Sequence, residues 1–129
     1  MSFVNYLFLC FAIQMQFVGA IAQPAVKKEK FVNVGEGWAG NSVNTVVFRK
    51  NSLVTYKDIQ FISYYDAEGF VMLGKRKLGQ ENWELKRTVY KGNVNDAHNS
   101  ISIAVDGNGY LHMAWDHHNH PLRLSLIHI

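Results

Sequence analysis

The chain has 129 residues, enough for one small domain, and its 48% hydrophobic and 18% charged residues exclude a disordered tail. Aromatic residues at 13%, with ten glycines against two prolines, favour strands joined by tight turns. A single cysteine excludes an intramolecular disulfide framework and a Cys-rich zinc site, and a net charge of +3 is too mild to indicate nucleic acid.

Residues 1–22 carry no charged side chain. The apolar run over 3–18 is short for a membrane span of about 20 residues. Ala20-Ile21-Ala22 offers small residues ahead of a cleavage point before Gln23. The segment is therefore expected to be a secretory signal, which makes the protein secreted or periplasmic and free of the membrane after cleavage. Cleavage there would also remove Cys10, the only cysteine. Residues 23–40 read as a polar, basic linker followed by the Gly-rich entry loop Gly35-Glu36-Gly37-Trp38-Ala39-Gly40.

Strand-like runs then follow over 43–48, 59–65, 70–75, 83–89, 100–105 and 110–115. Each is rich in β-branched or aromatic residues and bounded by Gly, Asn or Asp. No stretch sustains a helical period. Within this array Phe61-Ile62-Ser63-Tyr64-Tyr65-Asp66 is echoed by Leu111-His112-Met113-Ala114-Trp115-Asp116, and Asn41-Ser42-Val43 by Asn99-Ser100-Ile101. A competing, shorter offset sets Asp66-x-x-Gly69-Phe70 against Asp106-x-x-Gly109-Tyr110. The longer offset is preferred because it aligns whole strands. The predicted fold is all-β: a β-propeller fragment of about one and a half four-stranded antiparallel blades over residues 41–123. Residues 124–129, an apolar tail that stops abruptly, are expected to be non-native sequence. The chain is expected to be the N-terminal part of a longer protein. Alone it would be inactive and poorly folded, because its blade edge lacks a neighbour.

One hairpin concentrates chemistry. Asp106-Gly107-Asn108-Gly109-Tyr110 fits a three-residue loop with Gly109 in the left-handed position of a G1 bulge. Pairing Asp106 with Tyr110 sets Ile101 opposite Trp115, Ile103 opposite Met113 and Val105 opposite Leu111. A one-residue slip would set these apolar side chains against His112, Ala114 and Asp116, so the hydrophobic match selects the register. On the other face Ser100 then meets Asp116, Ala104 meets His112, and His98 falls opposite His118. Two imidazoles about 5 Å apart at the open end of a hairpin, beside Asp96, Asn99 and Asp116, form the candidate site. His118 and His120 could share a strand face as metal ligands. Pro121 favours a loop there and no third ligand is fixed by spacing, so no metal and no cofactor is expected. Lys75-Arg76-Lys77 with Lys86-Arg87 reads as a solvated edge.

Three stretches carry a family resemblance. They are Trp38-Ala39-Gly40-Asn41-Ser42-Val43-Asn44-Thr45, Asp96-Ala97-His98-Asn99-Ser100-Ile101-Ser102, and the run from Gly109 through Asp116-His117-His118-Asn119-His120-Pro121-Leu122-Arg123. Together they resemble the BNR-repeat-containing family of secreted bacterial proteins. The similarity spans about residues 31–123. It implies a seven-bladed β-propeller, and it brings in ulvan-type polysaccharide lyases. The Asp-box of sialidases is not present as such; residues 102–115 match it only loosely.

By that resemblance His98 and His118 match the two histidines lining the lyase cleft, with Asn99, Trp115 and His117 as substrate-binding neighbours. The pairing of Trp115 with Ile101 on the apolar face makes it more a core residue than a sugar platform. The family's catalytic tyrosine and arginine would lie in a later blade, and no residue of this chain takes those roles. The implied partner is an acidic polysaccharide and the implied reaction is β-elimination at a uronic acid. Two alternatives stay open: a carbohydrate-binding propeller without catalysis, and a sialidase-like glycoside hydrolase.

Overall fold

The computed structural model describes residues 30–45 and 51–129. The expected signal segment, the linker up to residue 29 and residues 46–48 of the first expected strand lie outside the described residues. Among the described residues all regular structure is β. The strands are β1 (Leu53–Tyr56), β2 (Ile59–Tyr65), β3 (Phe70–Lys77), β4 (Glu84–Lys91), β5 (Ser102–Val105), β6 (Tyr110–Ala114) and β7 (Leu124–His128). They form a four-stranded antiparallel sheet in the order β1-β2-β3-β4 and a three-stranded one in the order β5-β6-β7. A complete blade and most of a second match the expected all-β propeller fragment.

Among the described residues the first strand is Leu53–Tyr56. Residues 43–45, expected to begin a strand, form a turn. The 43–45 turn still contributes to the core, because Val43 is buried. Asn44 holds it in place. Its side-chain oxygen accepts the Tyr65 N–H at 2.8 Å and its amide donates to the Tyr65 carbonyl at 2.8 Å, so it imitates a ladder partner at the end of β2.

Alternation builds the core. Phe61, Ser63 and Tyr65 of β2 point inward, as do Ile103 of β5 and Leu111 and Met113 of β6, followed by Trp115 just beyond β6. With Val43, Val71, Val94 and Ile101 they form one apolar cluster joining the two sheets. The strand-aligning offset therefore superposes buried on buried: Phe61 on Leu111, Ser63 on Met113, Tyr65 on Trp115. The two middle members touch, with Ser63 Oγ 3.8 Å from Met113 Sδ.

The shorter offset is also real, but it describes a turn. Asp66 Oδ1 accepts the N–H groups of Glu68 and Phe70, both at 2.9 Å, and Gly69 sits at φ +83°. Asp106 Oδ1 accepts those of Asn108 and Tyr110, again at 2.9 Å, and Gly109 sits at φ +84°. Each aspartate clasps an identical loop, and only glycine adopts its left-handed position without strain. The second carboxylate oxygens diverge: Asp66 holds Arg87 at 2.7 Å and Asp106 holds His112 at 2.9 Å.

β7 covers residues read from sequence as lying outside the native protein. It pairs with β6, placing Ser125 opposite Met113 and Ile127 opposite Leu111 on the core side. Leu124 and Leu126 are exposed on the other face. The apolar pattern of this strand is thus largely out of phase with the core it borders. The basic stretch of β3 and β4 is a solvated, partnered face. Lys75 meets Glu84 and Lys77 meets Asp58, both at 3.6 Å, while Arg76 lies over the Trp83 ring.

Candidate functional site

The β5–β6 ladder pairs Ser102 with Ala114, Ile103 with Met113, Ala104 with His112 and Val105 with Leu111, the register that the apolar residues select. The ladder stops there. His98 and His118 are not strand partners, because β5 begins only at Ser102 and the chain bends at Asp116, just beyond β6. Their rings nevertheless lie 4.6 Å apart between centroids, tilted by 49°. Loop hydrogen bonds, not the ladder, bring them together.

On one side the 93–99 turn is closed by the Asn99 N–H donating to the Asp96 carbonyl at 3.1 Å. Asp96 Oδ1 accepts the His98 N–H at 2.9 Å, the short-range clasp that aspartate makes two residues ahead of itself. On the other side Asp116 and Asn119 adopt left-handed backbone, φ +57° and +59°. Aspartate and asparagine are the non-glycine residues that tolerate this region best. These two bends fold residues 117–120 back toward the 93–99 turn. The His118 N–H then donates to Asn99 Oδ1 at 2.9 Å.

Asp96 joins the two rings. Its Oδ1 lies 2.8 Å from His98 Nδ1 and its Oδ2 2.6 Å from His118 Nδ1. With Nδ1–H donating to a carboxylate, each neutral ring carries its lone pair on Nε2. Among the described residues neither Nε2 has a hydrogen-bond partner, and both side chains are about half exposed. The Asp96 carboxyl is held well below the usual carboxylate range by the His118 hydrogen bond first, and then by the backbone and ring N–H groups of His98. The result is a fixed anion clasping two imidazoles, whose outward edges offer two bases.

The support beneath this site is buried. Asp116, 2% exposed, accepts the Asn93 N–H at 3.0 Å through Oδ1 and pairs with the Arg123 guanidinium at 2.8 Å through Oδ2. Arg123 also donates to the Lys91 carbonyl at 3.0 Å. The Tyr65 hydroxyl donates to the Asn99 carbonyl at 2.7 Å from within the core. Burial, and then the Asp116 charge, push the Tyr65 phenol far above its ordinary range, so it stays a neutral donor. Gly92 lets that ring in: a Cβ there would stand 2.7 Å from the Tyr65 ring.

The remaining sequence-derived candidates fall into different places. Asn99 is fully buried; its amide donates to the Asn93 carbonyl at 3.0 Å, so it positions His118 and does not face solvent. Trp115 is 6% exposed and its ring packs 4.6 Å from that of Tyr90, which leaves no open face for a sugar. Tertiary packing decides for the core there. His117 is exposed, and its Nε2 accepts the Arg123 N–H at 3.1 Å, bracing the 117–123 loop. His120 does not face His118 across a strand; its Nδ1 reaches the His118 carbonyl at 2.6 Å within the loop. Asp96 and Asp116 stand beside the pair in the sequence without an assigned role, and Tyr65 and Arg123 are not singled out there at all. The Asp96-Ala97-His98 spacing was the one local signal for the first of them, since an aspartate readily clasps the residue two positions on.

Repeated antiparallel units with histidines gathered on strand-end loops define a propeller-type protein with its candidate site on those loops. The family of BNR repeat-containing members matches residues 59–128, more than half of the chain, and the chain belongs to that family. A search of curated proteins finds no match.

Proposed function

We propose that this chain is part of a secreted, polysaccharide-lyase-like propeller of the seven-bladed, ulvan-lyase type, acting by β-elimination on an acidic, uronic-acid-containing polysaccharide. The observation that supports this reading is the Asp96 clasp, which aims two imidazole Nε2 atoms outward from one point. β-Elimination removes the C5 proton of a uronic acid and expels the oxygen on C4. The C5–H electron pair becomes the C4=C5 double bond, and the C4–O4 pair leaves with the departing sugar, which must be protonated. The C5 proton is weakly acidic until the adjacent carboxylate is neutralised, so a donor must meet that carboxylate while a base takes the proton.

The two histidines suit these two tasks differently. Asp96 Oδ1 is divided between the His98 ring and its backbone N–H, whereas Oδ2 serves His118 alone at 2.6 Å. So short a contact is typical of a charge-assisted hydrogen bond, and a His118 ring that also carries a proton on Nε2 can donate it to an anionic carboxylate. His98 then takes the C5 proton on Nε2. His117, exposed on the same loop, borders the sugar, while Asn99 acts from beneath through the His118 backbone. The acid that protonates O4 is assigned to no residue of this chain.

The test is incubation of a longer protein containing this segment with uronic-acid polysaccharides. A lyase leaves an unsaturated product that absorbs in the ultraviolet, and loses it on His98→Ala and on His118→Ala. New reducing ends without that absorbance would replace this reading with a hydrolase. Retention on the polysaccharide with neither product would replace it with a binding module.

A further inference from the structure

Asp96, His98 and His118 carry a second chemical possibility. One carboxylate oxygen and one nitrogen of each ring lie within 4.8 Å of one another. We propose that these three side chains bind a divalent transition-metal ion, with zinc the best fit. The inference stands on this geometry alone, and the metal-bound form it describes, with both Nε2 atoms protonated, is distinct from the form in which His98 acts as a base.

The donor chemistry selects the metal class. Two imidazoles and one carboxylate are the ligands that borderline ions favour, and three protein ligands with open positions are typical of a reactive rather than a structural zinc site. Calcium and magnesium want six or more oxygens, and one carboxylate supplies too few. Spacing within residues 116–120 fixed no third ligand, and the 96–98 turn provides two ligands from the facing loop. The combined charge of Asp96 and two neutral rings leaves a bound dication with a net positive charge, open to water or an anion.

Hydrogen bonds now join the Asp96 carboxylate to both rings. Ligands about 2.0–2.1 Å from a tetrahedral ion stand roughly 3.3 Å apart, against the 2.8 and 2.6 Å separating the Asp96 oxygens from the two Nδ1 atoms. The ion enters between them as each ring turns outward by about half an ångström. The Nδ1 proton of each ring moves to Nε2, so both imidazoles stay neutral and no proton is lost. The backbone need not move. The His98 N–H is tied to Asp96 Oδ1 and the His118 N–H to Asn99 Oδ1, so rotation of half-exposed side chains suffices.

The molecule contains its own control. Asp106 and His112 make the same carboxylate–imidazole contact at 2.9 Å, with one ring in place of two. The experiment titrates a folded, longer protein containing this segment with Co2+, read by its visible absorption, and with Zn2+, read by calorimetry. One equivalent is expected to bind. Affinity should fall at least tenfold in His98→Ala and in Asp96→Asn, since loss of even an outer-shell partner of a metal site costs 10–100-fold. The His112→Ala variant should bind as the parent does. Absence of saturable binding would overturn the proposal, as would unchanged affinity when His98 and His118 are both alanine, or an equal loss in His112→Ala. Because the readout is the metal itself and no polysaccharide is present, failure here leaves the lyase reading standing.

Discussion

The Tyr65 hydroxyl, at the centre of the apolar cluster, donates to the carbonyl of Asn99 at 2.7 Å, and the Asn99 side chain in turn accepts the backbone N–H of His118. One residue separates the core of the first sheet from the loop that carries the site. The loop geometry is therefore tied to core packing and not left to solvent.

Tyr65→Phe keeps the ring and removes the hydroxyl. The buried Asn99 carbonyl then loses its partner, a defect worth about 1–3 kcal/mol. A lower denaturant midpoint is expected, together with faster hydrogen exchange at the His118 amide. Loss of stability without any change at His118 would show that the link ends at Asn99.

Asp96→Asn keeps the side-chain shape and removes the charge that both rings share. Its effect is on the rings. With the carboxylate in place, His98 and His118 share the Nδ1–H tautomer; with the amide, one of the two loses its acceptor. Imidazole nitrogen chemical shifts report this directly, and two unchanged tautomers would refute the clasp.

The pH dependence has a defined sign. The Asp96 carboxyl is depressed in the folded state by His118 and His98, and that of Asp106 by His112 and then by the turn amides. Each contributes stability that is present above the unfolded carboxyl value, about 3.9, and that is lost as pH falls through its lower folded value. Carboxyl carbon shifts of both residues should therefore stay flat through the ordinary aspartate range and move only in stronger acid. A midpoint near the ordinary value for Asp96 would contradict the two-ring contact.

Arg123→Ala strands the buried Asp116 carboxylate with the Asn93 amide as its remaining partner. Removing one partner of a fully buried pair costs roughly 3–5 kcal/mol. The Arg123 side chain is more than a third exposed, so a loss nearer 3 kcal/mol is expected. Arg123→Lys should recover part of it. An alanine variant as stable as the parent would mean water replaces the guanidinium at no cost.

Gly109→Ala tests the turn. At φ +84° an alanine costs about 1–2 kcal/mol. Gly107 in the same loop has open space around it and no left-handed backbone, so Gly107→Ala should change stability by less than about 0.5 kcal/mol. Equal effects of the two substitutions, measured by thermal melting, would count against the shared turn geometry.

The β5–β6 register was legible because alternation leaves one consistent choice: a one-residue slip drives His112 into the core. The strand at 53–56 was not, since four residues with two of them exposed give a weaker signal than the apolar 43–48 run. The proximity of His98 and His118 was legible for an incomplete reason. The register points one toward the other, but the ladder ends at Ser102 and Ala114. The last approach depends on left-handed backbone at Asp116 and Asn119 and on an Asn99 buried by the neighbouring sheet. Such conformations are set by tertiary contacts that no local pattern encodes. Trp115 shows the converse: its place opposite Ile101 on the apolar face already favours the core, and its burial against Tyr90 agrees.

The two aspartate-clasped turns share one backbone and differ in what the spare oxygen holds, a guanidinium at Asp66 and an imidazole at Asp106. The loop is thus a socket whose shape is guaranteed by one oxygen while the other is left to the neighbourhood. A family assembled from such units can recolour the rim of each copy, from permanently charged to proton-responsive, by altering a single cross-strand residue and without disturbing the hairpin beneath.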